Sequence, residues 1–125
     1  MKKYLVLLCL LFNPCYAAEW IELYPKHYFD KKTYAYDTYS NTASGWFKIL
    51  NSGDFPNIKG SKVWYTLNRV EADCTGRKIR ALNVQVYDLK GKHITGVDEP
   101  GKYIDVVPDT GSEIDFWVLC GLDDE

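Results

Sequence analysis

"KVWYTLNRVEADCTGRKIRALNVQVYDLKGKHITGV", residues 62–97, is the stretch on which the fold turns. β-Branched and aromatic residues dominate it, and two short breaks, Thr75-Gly76 and Lys90-Gly91, divide it into three runs. In the first, Lys62 to Cys74, one face carries Val63, Tyr65 and Leu67 and the other carries Val70, Ala72 and Cys74. An apolar set that changes face midway predicts a bulge, or a strand covered on both sides. Lys78 to Leu89 returns with Leu82, Val84 and Val86 on one face, and Lys92 to Val97 pairs next. Gly76 is expected to supply a positive φ at the first turn. Together the runs predict a three-stranded antiparallel meander.

Upstream, "EWIELY" (Glu19–Tyr24) alternates and ends at Pro25, "HYFD" (His27–Asp30) reads as a short strand or turn, and "ASGWFKIL" (Ala43–Leu50) reads as a strand. Lys31 to Tyr39 fits either a short strand or one helical turn. Asn51 to Ser61, with two glycines and a proline, is a loop. Downstream, Asp98 to Gly111 is a Pro/Gly/Asp-rich connection with room for a short strand at Tyr103 to Val107. "SEIDFWVLCGL" then spaces Ile114, Trp117 and Val118 in a helical manner, opened by a capping-box-like Ser112/Asp115 pair and stopped by Gly121. Its Ile, Phe, Trp and Val content also suits a last strand, but the helix is preferred. The expected class is α+β: about six antiparallel strands and a C-terminal helix.

Residues 1–17 have the order of a secretory signal peptide. Met1-Lys2-Lys3 is basic, "YLVLLCLLF" (Tyr4–Phe12) is apolar, and Cys15 and Ala17 are small residues at a cleavage site after Ala17. The apolar run is far short of the roughly 20 residues a membrane helix needs. No later segment is apolar enough, so no transmembrane segment is expected after cleavage. The remaining 108 of the 125 residues, 18–125, suit a single domain. The signal removes two of the 15 basic residues and none of the 17 acids, leaving a balance of −4. A mildly acidic domain is a poor match for nucleic acid.

Cys9 and Cys15 leave with the signal, so Cys74 and Cys120 remain. An even pair in an exported chain reads as a disulfide. A nucleophile would need a neighbouring histidine, and only His27 and His93 exist, neither in a catalytic motif. A zinc site would need three or four clustered ligands. A disulfide closing this 46-position separation removes roughly 4 kcal/mol of denatured-state entropy in the chain-entropy model. No phosphate loop, catalytic triad or metal cluster appears, and no cofactor is expected. Asp98-Glu99 are adjacent and followed by Pro-Gly, which is wrong for paired catalytic carboxylates. Glu71, Asp73, Arg77 and Arg80 read as cross-strand support for the hairpin.

The order Glu71-x-Asp73-Cys74, Arg77, Arg80 and a hydrophobic strand reaching Tyr87 resembles the surface-adhesin protein E family of Gram-negative bacteria. Trp20, Tyr28-Phe29-Asp30, the Trp46 strand, Val107-Pro108, Gly111-Ser112 and Cys120 match in order as well. The resemblance implies a curved antiparallel sheet with a C-terminal helix tied on by a disulfide. It also implies a non-enzymatic adhesin that binds host matrix and plasma proteins. No lipidation cysteine is visible, so the expected location is the periplasm, the medium or the cell surface.

A protein partner is therefore expected, either a host extracellular protein or a periplasmic one. The alternative is a periplasmic inhibitor or immunity protein acting on a lysozyme-like or toxin enzyme. Residues 18–47 are unusually aromatic, and Tyr34, Tyr36 and Tyr39, beside Lys31-Lys32, are the candidate binding residues. Oligomeric state is left open.

Overall fold

The computed structural model describes residues 17–121. Residues 1–16 of the expected signal segment, with Cys9 and Cys15, and residues 122–125, with the acidic tail, lie outside the described residues.

Among the described residues eight strands form one antiparallel sheet: β1 (Trp20–Tyr24), β2 (His27–Asp30), β3 (Ala35–Asp37), β4 (Thr42–Leu50), β5 (Val63–Asp73), β6 (Lys78–Asp88), β7 (His93–Val97) and β8 (Ile104–Asp105). Helix α1 (Gly111–Gly121) follows. The spatial order is β1-β2-β4-β5-β6-β7. The predicted meander is present as β5–β6–β7. The two strands beyond the expected six are β3 and β8, each from a stretch the sequence left ambiguous. Lys31 to Tyr39 holds both expected alternatives in series: a single 3-10 turn, Lys31–Thr33, then β3. The strand expected at Tyr103 to Val107 is only Ile104–Asp105. β3 and β2 share one edge of β4, and β8 and β7 share one edge of β6.

The predicted irregularity in the long hairpin exists, but on the other strand. β4 and β5 pair without a break from Thr42↔Asp73 to Leu50↔Tyr65. Between Arg69↔Asn83 and Val70↔Ala81 the register slips, leaving Leu82 of β6 as the extra residue. Trp64 is a second such residue, at the start of β5. Bulges of this kind add local twist.

One face of the sheet is covered by α1. There Phe29, Ala43, Phe47, Val70, Ala72 and Ile79 meet Phe116 and Leu119 in the core. Gly45 sits at the centre of the contact. A Cβ there would lie 2.6 Å from Phe29 Cε1 and 3.5 Å from Leu119 Cδ2, so glycine lets ring and helix close on the strand. At the C-terminal end of α1, Cys120 bonds to Cys74, with Cα atoms 5.6 Å apart. Cys74 lies one residue past β5, its N–H donating to Asn41 O at 3.0 Å.

Two local expectations are corrected. The β5–β6 turn is a four-residue loop, Cys74 to Arg77, and the positive φ (53°) belongs to Arg77, not Gly76. Gly76 N–H donates to Asp73 Oδ1, and a Cβ there would lie 2.7 Å from Asp73 Oδ2, so a larger residue would push the Asp73 carboxylate aside. The Ser112/Asp115 cap does not form. Ser112 Oγ instead lies 2.7 Å from Thr110 Oγ1, Glu113 accepts from the Asp109 N–H, and Asp115 turns toward the sheet.

Candidate functional site

The ten residues Glu71–Arg80 are bound up in structure. Glu71 and Arg80 are register partners, and Arg80 donates to Glu71 Oε1 from Nε (2.9 Å) and Nη2 (2.7 Å). The Tyr103 hydroxyl donates to the same oxygen at 2.6 Å, and its ring lies 4.4 Å from the Arg80 guanidinium. Burial first, then this bond to Glu71, push the Tyr103 pKa up to about 12. Arg77 does not pair across the hairpin. It lies over the Phe116 and Trp117 rings at 5.4 and 5.6 Å and approaches Glu113 at 4.0 Å, clamping the helix. Asp73 caps the turn.

The three tyrosines singled out from sequence are separated by the fold. Tyr34 and Tyr36 are half-buried and pack against the core cluster, with the Tyr36 hydroxyl donating to Asn41 Oδ1. Tyr39, in the β3–β4 turn, is wholly exposed. Alternation explains the division: in β3, Tyr36 pairs with Ala43, a core residue of β4.

The larger aromatic assembly lies on the face of the sheet away from α1. Pairing sets Glu22 against Tyr28, Tyr28 against Lys48, Leu50 against Tyr65, and Tyr65 against Tyr87. Lys48 Nζ lies 5.7 Å from the Trp20 ring centre and 4.6 Å from that of Tyr65. Tyr65 stacks on Tyr87 at 4.9 Å, and Tyr87 meets His93 edge-on at 5.4 Å. Trp64 adds an edge contact to Tyr65 at 5.0 Å. Trp20, Lys48, Tyr65, Tyr87 and His93 thus form a continuous band from β1 to β7. Partial burial raises the Tyr65 hydroxyl pKa, with the neighbouring Tyr87 adding to it. Each such contact contributes about 0.5–1.5 kcal/mol beyond area burial. The sequence held a signal for this band. Tyr65 and Leu67 alternate against Val70 and Ala72, and the lone Lys48 falls on the Tyr65 side of the register.

The opposite face holds a second polar feature. The Tyr24 hydroxyl lies 3.0 Å from His27 Nδ1, and His27 Nε2 lies 2.8 Å from Asp115 Oδ1. Both imidazole nitrogens of His27 are thereby engaged. Tyr24 also stacks on the buried His27 ring at 4.5 Å. Burial, and then the Asp115 charge, raise the Tyr24 pKa, the reverse of what an activated phenolate nucleophile needs. Among the described residues, no group of three or more His, Cys, Asp or Glu is placed to hold a metal, and no helix is long and apolar enough to cross a membrane.

The geometry defines a class: a disulfide-stapled α+β domain with a helix on one face of an antiparallel sheet and an aromatic–lysine band on the other. Solved structures share this fold. Crystal form II of Haemophilus influenzae protein E is similar with a TM-score of 0.65 at 13% identity, over 85% of this chain and 90% of that one. A second structure of H. influenzae protein E gives 0.60 at 13% identity, over 82% and 84%. The chain therefore has a protein E-like fold. No family model matches the sequence, and no curated protein matches it.

Proposed function

We propose that this chain is an exported, non-enzymatic recognition domain that binds a protein partner through the uncovered face of its sheet. The observation that carries this reading is the Trp20–Lys48–Tyr65–Tyr87–His93 band. Aromatic side chains held rigid by their neighbours lose little entropy on binding and supply both apolar area and polar tips, which is why Tyr and Trp dominate interface hot spots. The protein E-like fold and the family resemblance support a host matrix or plasma protein as the partner, with the domain displayed or released outside the inner membrane. The signal-peptide reading of residues 1–17 supports export into an oxidising compartment, where Cys74–Cys120 persists. Of the sequence-derived trio, Tyr39 alone is wholly exposed and is offered as a second, separate contact residue in the β3–β4 turn. The His27–Asp115 contact serves in this reading as a strut between β2 and the helix.

The test is a binding assay of oxidised residues 18–125 on immobilised matrix and plasma proteins, comparing wild type with Lys48→Glu and Tyr87→Ala. Loss of one hot-spot contact is expected to weaken binding about 30-fold, near 2 kcal/mol, in a domain that stays folded. Binding unchanged in both variants would remove the band from the interface, and no binding by wild type would refute the adhesin reading.

A further inference from the structure

We propose that the cavity between the N-terminal end of α1 and the sheet is a binding site for a small aliphatic amphiphile whose head group donates a hydrogen bond. The site lies on the opposite face from the proposed partner surface and stands or falls independently of it. Its volume is about 520 Å³, within the range of small-molecule clefts. Ile49, Val70, Ile79, Ala81 and Ile104 make its walls aliphatic. Tyr24, His27 and Asp115 form one connected polar array in the lining, with Ser112, Arg80 and Lys102 as its other polar residues.

The cavity stays open because its walls are held from several sides. Phe116 and Leu119 anchor the C-terminal half of α1, and the disulfide fixes that end. The N-terminal half is held by Asp115 on His27, with the Tyr24 hydroxyl close beside Gly111. The far wall is tied down by the Gly101 N–H donating to Ala81 O at 2.8 Å and by Ile104 pairing with Ile79. The helix therefore cannot settle onto the sheet to fill the space. A preformed aliphatic cleft of this kind gains free energy by exchanging water for an apolar guest, with little ordering cost.

Hydrogen bonding selects the head group. Both nitrogens of His27 are engaged, so the imidazole offers a ligand nothing. Asp115 uses Oδ1 alone among the described contacts, leaving Oδ2 as an acceptor at the polar end. An amine or alcohol satisfies it, whereas a carboxylate meets like charge. Arg80 also lines the cavity, but its guanidinium turns to Glu71 on the uncovered face, giving it Nε and Nη2. Lys102, exposed at the rim, is the other cation of the lining.

The experiment is a methyl-NMR titration of the oxidised, isoleucine-labelled domain with octylamine, octanol and octanoate, each below its micelle concentration. Saturable shifts are expected at Ile49, Ile79 and Ile104 and not at Ile21, Ile58 or Ile94, with octanoate about tenfold weaker than octylamine, the scale of one charge-assisted hydrogen bond. Ile104→Trp, at an exposed wall position that tolerates a large side chain, is expected to block binding while leaving the remaining methyl spectrum in place. Shifts spread over all isoleucines, no saturation, undiminished binding by Ile104→Trp, or octanoate binding tightest would each overturn the proposal.

Discussion

The two faces of this sheet are built by alternate residues of the same strands and have opposite chemistry. On the covered face, β4 and β5 present Ala43, Gly45, Val70 and Ala72, small or compact groups that let a helix approach closely, around the large buried ring of Phe47. On the uncovered face the same two strands present Lys48, Tyr65, Glu71 and Arg69, longer side chains that tile one another and leave polar ends in water. The first face is organised by exclusion of water and carries the domain's stability. The second is organised by ring stacking and ion pairing. Side-chain size at alternate positions thus separates holding the fold from meeting a partner.

The largest blow to the covered face is removal of its staple. Replacing Cys74 and Cys120 together by alanine is expected to cost roughly 4 kcal/mol in urea unfolding, from released denatured-state entropy over the 46-residue separation. A loss below about 1 kcal/mol would show that the helix needs no tether. Next is Gly45→Ala. A methyl group 2.6 Å from Phe29 Cε1 must displace the ring or the helix, for an expected loss of about 1–3 kcal/mol. An unchanged denaturation midpoint would mean that the two faces differ less in tightness than their contacts indicate.

The smallest effect belongs to the uncovered face. Arg80→Ala is expected to lower stability by about 1 kcal/mol, because Glu71 loses its cross-strand partner but keeps Tyr103. Partner affinity should not change, and a variant that loses binding at full stability would move the interface to this end of the sheet. Tyr103 adds an alkaline signature. Its folded-state pKa of about 12 exceeds the unfolded value of about 10. Its contribution is therefore whole below pH 10 and is lost as the pH rises from about 10 to about 12. Tyr103→Phe should remove that portion of the pH dependence and delete one late-ionising phenol from an ultraviolet titration.

Much of this was legible in the chain. Alternation through residues 62–97 forces paired strands, because a period of two can bury one side of a sheet only if each residue keeps its face. The glycine-bearing breaks closed the hairpins. The cysteine pair left one partner each, and the helical spacing after Ser112 outweighed its β-favouring residues. Where the reading failed, the deciding contact was distant. Gly76 was taken for the residue of positive φ, but in the four-residue turn that conformation falls on Arg77. Asp115 looked like a cap, but its partner is His27, 88 positions away. Tyr34 and Tyr36 were read as candidate binding residues, but both are half-buried against the core cluster, Tyr36 opposite Ala43.

The sequence by itself determined the class of the fold, its meander and its disulfide, because periodicity, turn residues and cysteine parity are local or counting properties of the chain. Only the tertiary structure decided which alternate set of residues the helix would cover. That choice rests on Gly45 admitting Phe29 and Leu119, and on His27 receiving Asp115, contacts between residues that become neighbours only when the sheet has closed.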